Sequence, residues 1–197
     1  MTVKNITTER MNQLRGLASG GDTMAQYLVA LFDTDISTMV QVLAPAAKGT
    51  NNIAVALAAN APGNFVIGAS PDKPRNLRVI MAASWDGGDV TVVGTDQFGQ
   101  PVSEVFATGS GVTRVGTKIF KTVTSATKAA VGATANTATI GTGDKLGLPV
   151  RATQDFGMVG DSTPTAMAPV AIDKTYHGFT PPVVPDGVLN YTVQISI

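Results

Sequence analysis

Between Pro74 and Pro149 the chain is a succession of short β-branched runs separated by tight polar turns, a rhythm that suits strands and leaves no room for long helices. At its centre, Asp89 to Thr95 reads Asp-Val-Thr-Val-Val-Gly-Thr, followed by Asp96-Gln-Phe-Gly-Gln-Pro101 and then Val102 to Phe106. Branched side chains crowd a helical turn but stand clear on a pleated strand, so the two apolar runs are strands. The loop between them contains Gly99, which can take a positive φ without steric cost, and the unit is predicted to be a hairpin. Upstream, Leu77, Val79 and Met81 recur at period two and share one face of a further strand, and Trp85-Asp-Gly-Gly88 turns the chain into the hairpin. A short strand is expected at Phe65 to Ile67 and another near Ile119 to Thr124, with an Ala/Thr-rich segment over 129–140. Gly141-Thr-Gly-Asp-Lys-Leu-Gly147 reads as another turn, ending at Leu148-Pro149.

The flanks differ in texture. Residues 1–61 are read as an N-terminal arm carrying a short helix from Thr8 to Arg15, capped by Thr7 or Thr8 with Glu9 in the first turn. Ala25 to Phe32 fits either a short helix or a buried strand, while Thr38 to Leu43 and Ile53 to Leu57 fit strands separated by Pro45 and the Gly49 to Asn52 turn. The alternative is that these are the first strands of the same body. Residues 62–197 form the β-rich body. It has a strand at Val170 to Ile172, loops at Ser162 to Pro164 and Pro181-Pro182, and a final stretch in which Leu189, Tyr191, Val193, Ile195 and Ile197 alternate on one face. A strand like this last one must pair, either closing the body or adding to a neighbouring subunit, because an open edge invites aggregation. The fold class is therefore mainly β, a sandwich or barrel-like body with an arm.

Charge narrows the partners. The chain has 14 basic and 14 acidic residues, a formal net charge of zero, and only 14% charged residues, against roughly 25% in an ordinary globular protein. Duplex binding needs clustered Lys and Arg, and Lys4, Arg10 and Arg15 are dispersed among polar neighbours, so nucleic acid is not expected as a partner. Nor is a membrane: the apolar run at Tyr27 to Phe32 is too short to span one, and Met1 to Asn5 is not followed by a signal-peptide apolar region. The absence of cysteine excludes disulfides and thiolate metal sites. Low charge with abundant small residues points instead to a surface that meets other protein, the alternative being a merely neutral β-domain.

The candidate chemical motifs fail on spacing. Gly141 to Gly147 superficially resembles a nucleotide loop, but Pro149 follows where a phosphate-binding helix should begin. Gly160-Asp-Ser162 resembles the start of an esterase nucleophile motif, yet the only histidine is His177, with Asp173 four residues before it. Asp33 and Asp35 lack the remaining ligands of a calcium loop and suit a turn or helix cap. Trp85 or Tyr176 could present a ring to a sugar, although Trp85 at a turn better suits packing. The sequons at Asn5 and Asn190 have meaning only on a secretory route. No catalytic, cofactor-binding or metal-ligating residues are assigned, and the chain is not expected to be an enzyme.

One longer pattern carries a resemblance. Pro74-Arg-Asn-Leu-Arg-Val-Ile-Met81, Val90 to Val102 with its Gly94-Thr-Asp-Gln-Phe-Gly99 core, Gly116-Thr-Lys-Ile-Phe-Lys-Thr-Val-Thr124 and Gly141 to Pro149 together resemble structural proteins of tailed-bacteriophage virions. Within that group they look most like capsid decoration (cement) proteins. The pattern covers residues 74–151, under half of the chain, and consists of strands and turns rather than an active-site signature. The resemblance implies a non-enzymatic protein of the capsid surface, assembled in the host cytoplasm. It implies contacts with the major capsid protein and with itself, as a homotrimer that stabilises the shell. A tail, baseplate or fibre-associated component, or a carbohydrate-binding β-domain, are the alternatives.

Overall fold

The structure is a computed structural model, and it describes residue 20 and residues 37–162 and 167–196. Among these residues are twelve strands: β1 (Ser37–Val42), β2 (Ala54–Ala58), β3 (Arg75–Met81), β4 (Val90–Thr95), β5 (Pro101–Phe106), β6 (Val112–Val115), β7 (Thr122–Lys128), β8 (Thr137–Gly147), β9 (Phe156–Asp161), β10 (Ala168–Asp173), β11 (Gly178–Phe179) and β12 (Tyr191–Ser196). They form two sheets. A nine-stranded sheet runs β1-β12-β9-β10-β11-β8-β3-β6, with β2 also on β8, and a three-stranded sheet runs β5-β4-β7. Every strand pair in both is antiparallel. Among the described residues no helix is long and apolar enough to cross a membrane.

The hairpin forms where the β-branched runs place it. Strands β4 and β5 pair from Val90 opposite Phe106 to Thr95 opposite Pro101, and Gly99 has a φ of +80° in the connecting turn. Val90 and Val92 face inward, as do Leu77, Val79 and Met81 of β3, all five at 1% exposure or less. With Ala54, Ala138 and Ile140 from the large sheet and Phe106, Val123 and Ala126 from the small one, they make a first core between the sheets in sandwich-like packing. A second core lies under the other half of the large sheet, built from Val42, Leu146, Leu148, Val159, Ile172, Phe179, Tyr191, Val193 and Ile195.

Strand β8 joins the two, and it corrects the turn expected at Gly141 to Gly147: that segment is the C-terminal part of an 11-residue strand. Its glycines provide close approach rather than a change of direction. A Cβ on Gly141 would stand 2.2 Å from the Gly49 carbonyl oxygen, and one on Gly143 would stand 2.3 Å from Asn76 Oδ1. The space lets the Gly49–Asn52 turn bind β8 through its side chains. Asn52 Oδ1 accepts the Thr142 N–H at 3.0 Å, and Thr142 Oγ1 accepts the Gly49 N–H at 2.9 Å.

Residues 37–61, placed by the sequence in the arm, follow the alternative reading where they form strands. β1 pairs along its length with β12, and β2 pairs with β8. Ile53, Ala54 and Ala59 are buried in the first core. The expected helix at Thr8 to Arg15, the Ala25 to Phe32 run and the pair Asp33 and Asp35 lie outside the described residues. At Phe65 to Ile67 the expected strand reduces to a single bridge between Ile67 and Ala54. The C-terminal strand closes the body: β12 lies between β1 and β9, with Tyr191, Val193 and Ile195 at 1% exposure or less.

Because Ile140 serves the first core and Leu146 the second on one strand, the two cores are expected to unfold together. Trp85, the only tryptophan, sits in the first core and reports on it alone. Its fluorescence transition on heating should coincide with the far-ultraviolet circular dichroism transition of the whole protein. Separate midpoints would show that β8 does not couple the halves.

Candidate functional site

The tip of the β4–β5 hairpin reaches the second half of the molecule. Asp96 Oδ1 accepts the N–H groups of Phe98 and Gln100, both at 2.8 Å, which bends the turn and projects Gln97 and Phe98 outward. Gln97 Nε2 donates to the carbonyls of Tyr176 at 2.9 Å and His177 at 3.2 Å, in the turn between β10 and β11. The Phe98 ring meets His177 edge-on with centroids 5.4 Å apart, and the Arg151 guanidinium lies 4.4 Å over the Phe98 centroid. These contacts bound a cleft of about 250 Å³, walled by Pro101, Val102 and Ile119 and by the polar side chains of Ser103, Lys118 and Thr175.

The turn that meets the hairpin is itself tightly held. Asp173 Oδ1 accepts the N–H groups of Thr175 at 2.9 Å and Tyr176 at 3.1 Å, while its other oxygen pairs with Lys145. Burial works to raise the Asp173 carboxyl, but Lys145 and the turn amides outweigh it and hold it below the ordinary carboxylate range. Lys145 also donates to the Thr117 carbonyl at 2.8 Å and lies 5.4 Å from the Tyr176 ring centroid. His177 has a φ of +50°, a conformation few non-glycine residues adopt, and its Nδ1 accepts the Ala152 N–H at 3.2 Å. An accepting Nδ1 makes the ring neutral, with its proton on Nε2.

Burial, helped by the Arg151 charge, lowers the His177 pKa below its ordinary 6.5, and Asp173 and Asp96 only partly offset this. The unfolded chain therefore takes up the His177 proton at higher pH than the folded one. Stability from this group is complete above about pH 6.5 and falls as the pH drops through the folded value. Urea midpoints measured between pH 7.5 and 5 should fall more steeply for the natural protein than for His177→Gln. Identical slopes would show that the imidazole is not held neutral at the junction.

The nucleophile set considered from sequence is not assembled. Strand β9 begins with Phe156 opposite Ala171, near the Asp173 turn, and ends with Asp161 opposite Tyr191. Ser162 therefore lies a strand length away, roughly 20 Å at about 3.3 Å per residue, and its Oγ accepts the Asn190 N–H at 3.2 Å. Asp173 and His177 have the separate partners given above. Trp85 is a core residue, 4% exposed, with its Nε1–H donating to the Gly88 carbonyl at 2.9 Å and Gly87 tucked against the ring. Tyr176 and His177 do line the cleft. Gln97 and Phe98 belong to the turn singled out in the sequence, which gave them no binding role, and Arg151 is not distinguished by any sequence motif. Among the described residues no group of three or more His, Cys, Asp and Glu side chains could hold a metal ion. Comparison with models of known families, with curated proteins and with solved structures finds no match to this chain.

Proposed function

We propose that the protein is a structural component of a tailed-phage virion, a decoration protein that binds the outer face of the capsid and strengthens the shell as a homotrimer. The observation that carries this reading is a set of exposed valines on the β-body. Val55 and Val66 are 62% and 68% exposed and sit on segments joined by a hydrogen bond from the Val55 N–H to the Val66 carbonyl at 3.1 Å. Val105 on β5 and Val115 on β6 are similarly bare, and both strands are sheet edges. Bare valines on sheet edges carry a cost in an isolated monomer and suit burial against other protein. The resemblance over 74–151 supplies the identity of that protein as the major capsid subunit, with further copies of this chain completing the contact.

In solution the protein should have a mass three times its 20.2 kDa by light scattering. In virions separated into heads and tails, it should be recovered with the heads. Recovery with tails would move it to the tail or baseplate, and a monomeric mass would remove the homotrimer.

A further inference from the structure

We propose that the cleft between the β4–β5 turn and the β10–β11 turn is a carboxylate-binding site, which takes an Asp, Glu or C-terminal carboxylate of a peptide partner between Arg151 and Lys118. The cleft is lined by two cationic side chains, Arg151 and Lys118, and by two acceptors, the Asp96 carboxylate and Gln97 Oε1, which is buried without a hydrogen-bond partner among the described residues. Asp96 spends Oδ1 on the amides of its own turn. Lys118 donates from Nζ to the Ser103 carbonyl at 2.7 Å, which uses one of three ammonium protons. Arg151 is exposed, with its guanidinium over the Phe98 ring, and among the described residues it makes no hydrogen bond.

That stacking selects the ligand. A guanidinium lying over an aromatic face leaves its N–H edge open, and a carboxylate can meet that edge with two parallel hydrogen bonds. Phe98 is itself fixed by the Asp96 turn and by His177, so little ordering remains to be done on binding. The volume, about 250 Å³, lies below the roughly 300–1,000 Å³ of cofactor and drug-sized pockets, and suits one acidic side chain with its adjoining backbone. Pro101, Val102 and Ile119 give the methylenes of a glutamate an apolar wall, which a compact phosphate would not use. The site stands on this geometry whether or not the body docks on a capsid.

The chain's only histidine lies in this cleft and is a built-in reporter. The folded protein is titrated with acetyl-Ala-Glu-Ala-amide, with acetyl-Ala-Gln-Ala-amide and with inorganic phosphate, following the His177 imidazole by nuclear magnetic resonance. The glutamate peptide is expected to shift the resonance saturably and to move its titration to higher pH, because a bound carboxylate offsets Arg151. The glutamine peptide and phosphate should bind at least tenfold more weakly. Arg151→Met and Lys118→Gln should each weaken the glutamate peptide at least fivefold while leaving the melting transition in place. Arg151→Lys, which keeps charge but not the fork, should not restore it. No saturable shift, phosphate binding as tight as the glutamate peptide, or affinity unchanged in both Arg151→Met and Lys118→Gln would overturn the proposal.

Discussion

Gly94→Ala is expected to destabilise the protein by about 3 kcal/mol, at the top of the range typical of overpacking because backbone must absorb the clash. Gly94 is buried in β4, where the pairing with β7 shifts register, so that Val93 faces Ser125 and Gly94 faces Val123. A Cβ there would stand 1.9 Å from the Thr122 carbonyl oxygen and 2.9 Å from its carbon. Both are main-chain atoms, so no rotamer change relieves the clash. The neighbouring contacts resist a shift of β7: Thr95 and Thr122 share a hydroxyl hydrogen bond of 2.7 Å, and Thr124 Oγ1 donates to the Val93 carbonyl at 3.1 Å. The sign is informative, because in an open strand alanine exceeds glycine in stability by about 0.5–1 kcal/mol. Gly99→Ala is the control: its φ of +80° disfavours a side chain, but nothing lies within 4 Å. Its loss should stay near 1–2 kcal/mol. Urea midpoints at unchanged slope give both values, and a Gly94→Ala loss below about 1 kcal/mol would contradict the β4–β7 register.

Arg75→Ala should cost at least as much, about 3–5 kcal/mol, for a different reason. The Arg75 side chain is fully buried, yet it serves three segments. Nε donates to the Gly143 carbonyl at 2.8 Å on β8, and Nη1 donates to the Ala46 carbonyl at 2.7 Å and to Asp72 Oδ1 at 3.2 Å. Asp72 in turn accepts the Ala46 N–H at 2.7 Å, so the connector from β1 to β2 is clasped at one residue, through its N–H and its carbonyl. The ion pair contributes little, since the Asp72 carboxylate is partly solvated. Most of the loss comes from a cavity and from carbonyls left without donors. Arg75→Met fills the volume without the donors and should recover part of the loss. Equal stability of Arg75→Met and the natural protein would show that these hydrogen bonds do not hold the connector.

Legibility in the sequence followed the range of the interactions. The β4–β5 hairpin could be read because its partners are neighbours and because Gly99 satisfies a local backbone demand. The alternation of Tyr191, Val193 and Ile195 announced a strand with one buried face, but not that β1 and β9 would flank it. Gly141 and Gly143 were misleading because local reasoning assigns glycine to turns, whereas their neighbours here are Gly49 and Asn76, far away in the chain. Strand β9 escaped notice because Gly157 and Gly160 interrupt its apolar period, and β11 because it has only two residues. In the cleft, Tyr176 and His177 attracted attention as rare residue types. Arg151 did not, since nothing in a sequence relates it to Phe98 before the hairpin tip docks.

The proposed role of this β-body is to bind a capsid shell. Its most direct test is to mix the purified protein with expanded, undecorated heads assembled from the major capsid protein of the same virus, and to measure what co-sediments across a range of concentrations. Saturation at a fixed number of copies per capsomer, with heads that resist heat better than bare ones, is the expected result. Heads that sediment without the protein at every concentration would contradict the claim.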